Sequence, residues 1–155
     1  MDQTAVINFK TALHEACRHV LSTRISALKD EIVQAQRAAN EETKSSAGDK
    51  YETGRAITQH EIEKLTMQLA NARLQEQQLA QINSLTIHTI IQPGSFVKTT
   101  VGDFFIAASL GEIHHAATSC MTISQAAPLG LKLKGRRAGD AIDMNNKRIQ
   151  ILEVI

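Results

Sequence analysis

The spacing of hydrophobic positions along the chain changes character once, near Asn83. From Val6 to Asn40 apolar residues recur with a helical period. The cleanest stretch is Leu21, Ile25, Leu28, Ile32, Ala35 and Ala39, which steps by alternating fours and threes onto one stripe. Arg24, Lys29, Asp30, Glu31 and Arg37 fall on the outward face. The first 47 residues contain neither Gly nor Pro, so nothing interrupts a long helix. Ser45-Ser46-Ala47-Gly48 is a cluster of turn formers. A second stripe follows in Ile62, Leu65, Leu69, Ala72 and Leu79, with Glu76 as a polar misfit on the seam. Gly54 weakens this helix near its start by roughly 1 kcal/mol relative to Ala. Two long helices joined by a short turn must pack antiparallel along their stripes. At about 1.5 Å per residue each arm extends on the order of 45–50 Å. Toward the turn the seam passes from Leu and Ile to Ala35, Ala38, Ala39 and Ala56, leaving little apolar area to stiffen the tip.

Beyond Asn83 the period shortens to that of strands. Thr86–Ile91, Ser95–Thr100, Asp103–Ala108, Ser119–Ser124 and Lys147–Val154 are β-branched or alternating runs bounded by turn residues. Pro93-Gly94 and Gly102-Asp103 read as turns, and Asn145-Asn146 as a tight hairpin turn. Pro128 to Lys134 predicts one short helix, with Pro in its first turn and Gly135 ending it. The expected fold class is α+β: a helical hairpin over residues 1–83, with its tip near 45–53, followed by a small β-rich domain with one helix over residues 84–155.

Composition narrows the function. The 155 residues include 17 basic and 16 acidic ones, for a net charge of +1. That balance argues against wrapping duplex DNA, which needs a surplus of Lys and Arg. Aromatic content of 3%, with no Trp, argues against a platform that stacks unpaired bases. Cys17 and Cys120 are the only cysteines and form no disulfide framework. A basic stretch leading into an apolar core is missing at the start, and no apolar run reaches the ~20 residues of a membrane span. A soluble, cytoplasmic protein is expected.

The sharpest chemical feature is Gly48-Asp49-Lys50-Tyr51-Glu52 at the turn between the helices. Asp49 and Glu52 stand three apart, so on a helical first turn they project from neighbouring positions. One reading is structural: Asp49 caps the second helix and Glu52 occupies its third position. The other is chemical. Mg²⁺ prefers oxygen ligands and is often held by one or two carboxylates together with substrate phosphates. Lys132, Lys134, Arg136 and Arg137 form a basic cluster that reads either as a solvated face or as a docking patch for an acidic partner. His14 with Cys17, and His114-His115 near Cys120, do not make up the four convergent ligands of a zinc site. There is no glycine-rich phosphate loop and no Ser-His-Asp pattern.

Taken together, the chain resembles the Gre family of bacterial transcript-cleavage factors (GreA and GreB). Gly48-Asp49-x-x-Glu52 is similar to the family's tip motif. Ile123-Ser124-x-x-x-Pro128-Leu129-Gly130, Gly135-Arg136-Arg137-Ala138-Gly139-Asp140 and Ile149-x-Ile151-Leu152-Glu153-Val154 are similar, in order, to its C-terminal signature. The stretch from Asn40 to Gly54 is closer to a Gre-like branch found in Bacteroidetes. The resemblance implies an FKBP-like C-terminal domain docked at the rim of the RNA polymerase secondary channel, with the hairpin inside the channel. It also implies that Asp49 and Glu52 help hold a second Mg²⁺, shared with the polymerase, and orient water for cleavage of backtracked nascent RNA. The factor would be a monomer with no cofactor bound on its own, and the nuclease would be the polymerase. Thr53, Gly54, Arg55 and Ala56 depart from the Asn and Ala-Glu-Tyr run that usually follow the tip Glu. That difference keeps open a factor that occupies the channel and alters initiation or pausing without cleavage. A prolyl isomerase fits poorly, because the second half offers only Phe96, Phe104 and Phe105 to line a pocket.

Overall fold

The computed structural model describes residues 2–44 and 49–155, with side chains given for 2–41 and 53–155. It is an α+β fold. Helices α1 (Gln3–Lys44) and α2 (Asp49–Ala80) precede strands β1 (Phe96–Thr99), β2 (Gly102–Ala107), β3 (Gly111–His115) and β4 (Thr118–Ser124). Helix α3 (Pro128–Leu133) and strands β5 (Ala141–Met144) and β6 (Lys147–Val154) complete the chain. It divides into two compact units, Leu21–Leu74 and Met1–Val20 with Gln75–Ile155.

In the first unit, both helices bury the stripes that their periodicity marks. Leu21, Ile25 and Leu28 of α1 and Leu65 and Ala72 of α2 are buried. Ile32, Ala35, Ala39, Ile62 and Leu69 are half-buried, whereas Ala38 and Ala56 are exposed. The inward faces therefore become less covered toward residue 40, as the shift from Leu to Ala requires.

The second unit holds the six-stranded sheet, in the order β3-β4-β2-β1-β6-β5. All pairs are antiparallel except β2 with β4. One cluster of Ile91, Val97, Ile106, Ile123, Leu133, Ile142, Ile149, Ile151 and Val154 forms the core beneath α3. The base of α1 is fixed in this unit by Phe9, whose ring meets Phe96 edge-on at 4.9 Å. Here the α2 seam continues through Leu79, and Gln75 takes the half-buried position that the sequence pattern gave to Glu76. A step of three rather than four from Ala72 leaves Glu76 exposed. Gln75 is accommodated because its Nε2 donates to Ser109 O at 3.3 Å.

Four sequence expectations need correction. Thr86–Ile91 is not a strand; it makes one bridge, Ile90 to Arg137. Its β-branched residues fit a strand, but much of its backbone bonding goes elsewhere: Thr86 O to the Lys10 side chain, and Ile91 to Arg136 and Gly135. The first hairpin turn lies two residues earlier than expected, at Thr100-Val101, because Thr99 and Gly102 already pair across it. Strands β3 and β5 were not anticipated, and His114-His115 lies in β3. Both are edge strands with one buried residue each, Ile113 and Ile142, too few to show a period of two. The expected Asn145-Asn146 turn is present, with both residues at positive φ, as a type I′ hairpin requires.

Gly130 shows why α3 needs a residue without a side chain. A Cβ there would lie 2.1 Å from Ser124 O, against backbone that cannot swing aside. Gly130→Ala should destabilise the fold by about 1–3 kcal/mol. At ~2–4 °C per kcal/mol for a chain of this size, calorimetry should show the melting midpoint fall by several degrees.

Candidate functional site

The expected site begins where α2 begins. Asp49 is the first residue of that helix and Glu52 completes its first turn, so the two acids share one helical turn of backbone. Their side chains, and the turn at Ser45-Ser46-Ala47-Gly48, lie outside the described residues.

The nearest described groups along the chain form a cleft of about 460 Å³ lined by Gln36, Ala39 and Asn40 of α1 and Arg55, Gln59 and Ile62 of α2. Residues from the end of one helix and the start of the other share it, so the helices run side by side in opposite directions here. Ala39 and Ile62 supply apolar wall, while three amides and one guanidinium supply hydrogen-bonding groups around it. Among the described residues no carboxylate lines it. Sequence reasoning passed over Gln36, Asn40 and Gln59 because isolated amides carry no motif. Their spacing beside the seam was the available signal.

In the sheet-bearing unit, a buried polar group ties the base of α1 to the segment after α2. Lys10 is fully buried, and its Nζ donates to Thr86 O at 2.6 Å. Burial pulls its amine down to about 8 from 10.5. His14 Nε2 lies 2.7 Å from Leu79 O and must carry the proton, because a carbonyl only accepts. His88 Nδ1 lies 2.8 Å from Ser95 Oγ, which accepts the Gln92 N–H at 3.0 Å, so a neutral ring can take the hydroxyl proton. Burial, and then the Lys10 charge, lower the His88 pKa and favour that neutral ring. Cys17 and Cys120 are buried free thiols. Burial pushes them up to about 12 and about 11, and the charge of Cys120 adds to the effect on Cys17. They are therefore protonated and inert near neutral pH. This cluster fixes structure and presents no reactive group to solvent.

Lys132, Lys134, Arg136 and Arg137 are all exposed along the end of α3 and the loop that follows it. A second cleft, of about 290 Å³, includes Asp103, Phe104, Glu112, Ser119 and Met121 in its lining. The Ser119 hydroxyl donates to Glu112, and His114 stands 3.8 Å from the same carboxylate. Among the described residues no group of three or more His, Cys, Asp or Glu could hold a metal ion. No described helix is long and apolar enough to cross a membrane. No protein-family model matches the chain, and no curated protein matches it significantly.

The buried groups set a pH dependence for stability. Between pH 8 and 10.5 the unfolded chain holds a proton at Lys10 that the folded chain has released, so raising pH stabilises the fold. Above pH 9 the unfolded chain ionises Cys17 and Cys120 while the folded chain keeps both protons, so raising pH destabilises it. Two thiols outweigh one amine, which places a stability maximum near pH 9. Urea midpoints measured across this range should flatten below the maximum in Lys10→Met and fall less steeply above it in Cys120→Ala.

Proposed function

We propose that this chain is a secondary-channel factor of bacterial RNA polymerase that stimulates cleavage of backtracked nascent RNA by the polymerase's own active site. The observation that carries the reading is the tip sequence Gly48-Asp49-x-x-Glu52, set between helices of 42 and 32 residues with the second beginning at Asp49. A long two-helix arm with a thin apolar seam suits a narrow passage, and the α+β architecture agrees with the order of motifs in the sequence. Asp49 and Glu52 offer hard oxygen donors of the kind Mg²⁺ prefers. Mg²⁺ bound with them would supply charge neutralisation at a phosphodiester and a more acidic water. The chain's own contribution is to bring the two carboxylates to that place and orient that water. The polymerase remains the nuclease, and a single copy of the factor suffices.

A second reading rests on Thr53, Gly54, Arg55 and Ala56, which depart from the family's usual run after the tip. It is a factor that occupies the same channel and alters initiation or pausing without cleavage.

One assay separates them. Added to stalled, backtracked elongation complexes, the wild-type protein should release short 3′ RNA fragments. Asp49→Ala and Glu52→Ala should slow that release by at least ~10–100-fold, the usual penalty for disturbing groups that support a metal site, while leaving polymerase binding intact. Polymerase binding without fragments would favour the second reading. Unchanged cleavage by both variants would eliminate the tip mechanism.

A further inference from the structure

The sheet ends in two edge strands, β3 and β5, and the fold treats them differently. Met144 and Lys147 flank the Asn145-Asn146 turn, so in the alternating antiparallel ladder Ala141 and Asp143 turn their backbone groups outward. Lys132 Nζ covers one of these, donating to Asp143 O at 2.7 Å.

The β3 edge has no such cover. His115 and Thr118 close a two-residue turn and form a hydrogen-bonded pair, from which the alternation along β3 follows. Gly111, Ile113 and His115 direct their backbone groups to β4, and on that side the Thr122 hydroxyl donates to Gly111 O. Glu112 and His114 direct theirs outward. Among the described residues, nothing bonds these two N–H and two C=O groups. Strand β3 also has no Lys, no Pro and no break in register, the usual means of blocking an edge.

We propose that the β3 edge pairs with the β3 edge of a second copy of this chain, antiparallel and centred on Ile113. With Ile113 opposite itself, Glu112 of each copy faces His114 of the other. These two pairings are hydrogen-bonded ones, so all four outward groups of each copy find partners. The side chains agree with the backbone. Glu112 and His114 are 55% and 71% exposed on one face of β3, with the carboxylate 3.8 Å from the imidazole. Across the two-fold axis each carboxylate meets a second imidazole, whose N–H can donate to it whether the ring is neutral or charged. Centring on Glu112 instead sets carboxylate against carboxylate, and centring on His114 runs Glu112 into the turn at Ala116. This self-complementarity is what selects a second copy over a strand from another protein. Both copies use the same edge and Lys132 covers β5, so the assembly closes at a dimer and does not grow into a fibre. The pairing belongs to the free protein and does not rest on the polymerase reading, in which one copy acts.

Sedimentation of the full-length protein between about 10 µM and 1 mM, with amide hydrogen exchange at the same concentrations, tests it. The expected dissociation constant is roughly 0.1–1 mM, in keeping with a contact far below the ~1,200 Å² of stable complexes. The amides of Glu112 and His114 should gain protection as concentration rises, while those of Ile113 and His115, already bonded to β4, stay unchanged. Glu112→Lys and His114→Glu should each weaken association at least ~5-fold, because each sets like charges opposite one another twice per dimer. Exchanging the two residues, Glu112→His with His114→Glu, should restore it. All three variants should keep the wild-type melting temperature, since both positions are exposed. A protein that stays monomeric at ~1 mM would overturn the proposal. So would Glu112 and His114 amides whose exchange ignores concentration, the sign of an edge left open to some other strand. An exchanged variant as weak as the single ones would equally sink the register. Because polymerase is absent, failure here leaves the cleavage reading untouched.

Discussion

The sheet-bearing unit depends on how the first turns of α1 are anchored. Phe9 stacks edge-on against Phe96, and one residue later Lys10 carries a buried amine to the carbonyl of Thr86. His14 and Leu13 follow on the same buried side, with His14 bonded to Leu79 O across to α2. These contacts place the start of one helix, the end of the other and the connecting segment in fixed relation to β1. Burying an ammonium group away from water is costly, and here a single carbonyl offsets it. Desolvation accordingly lowers the Lys10 pKa, and the neighbouring charge helps keep His88 neutral. A leucine at position 10 would avoid the cost but leave Thr86 O without that donor. The lysine gives the junction a directional bond that an apolar contact would lack.

The same junction shows what could be read from the sequence. The long helices were legible because their stripes run for many turns without Gly or Pro, and Leu21, Ile25, Leu28, Leu65 and Ala72 are buried as that pattern requires. Strand β6 was legible because Ile149, Ile151 and Val154 share one core, and the hairpin before it because two asparagines tolerate positive φ. Thr86–Ile91 misled because β-branched residues indicate extended backbone but not its partners, and one partner is a lysine 76 positions away. The edge strands β3 and β5 bury one residue each and leave almost no period to detect.

The candidate sites divide along the same line. The two acids proposed for the tip, Asp49 and Glu52, lie three apart in sequence, where a motif can single them out. The cleft nearest them along the chain has no such motif: Gln36 and Asn40 meet Arg55 and Gln59 only because two helices run alongside each other. The basic surface is intermediate. Lys132 to Arg137 is visible as a run, but only the fold shows that its four cations all stay exposed along the end of α3 and the loop after it. Whole-chain net charge is a poor guide to such a surface, because it sums residues that never share a face.

A pair of carboxylates on one helical turn is common and does little alone. Two such groups hold Mg²⁺ weakly in water, since the ion keeps several of its own waters and demands near-octahedral geometry. The first turn of a helix, moreover, already favours acidic side chains through the positive end of the helix dipole, which gives Asp49 and Glu52 a structural reason to be there. Only a second set of ligands already in place could turn such an arrangement toward catalysis, because a metal shared between two molecules needs only the last one or two oxygens from the incoming one. An isolated tip with slight metal affinity is therefore compatible with strong activation inside a partner. A tip that bound Mg²⁺ tightly by itself would arrive with the ion's coordination already filled and could not complete the partner's site.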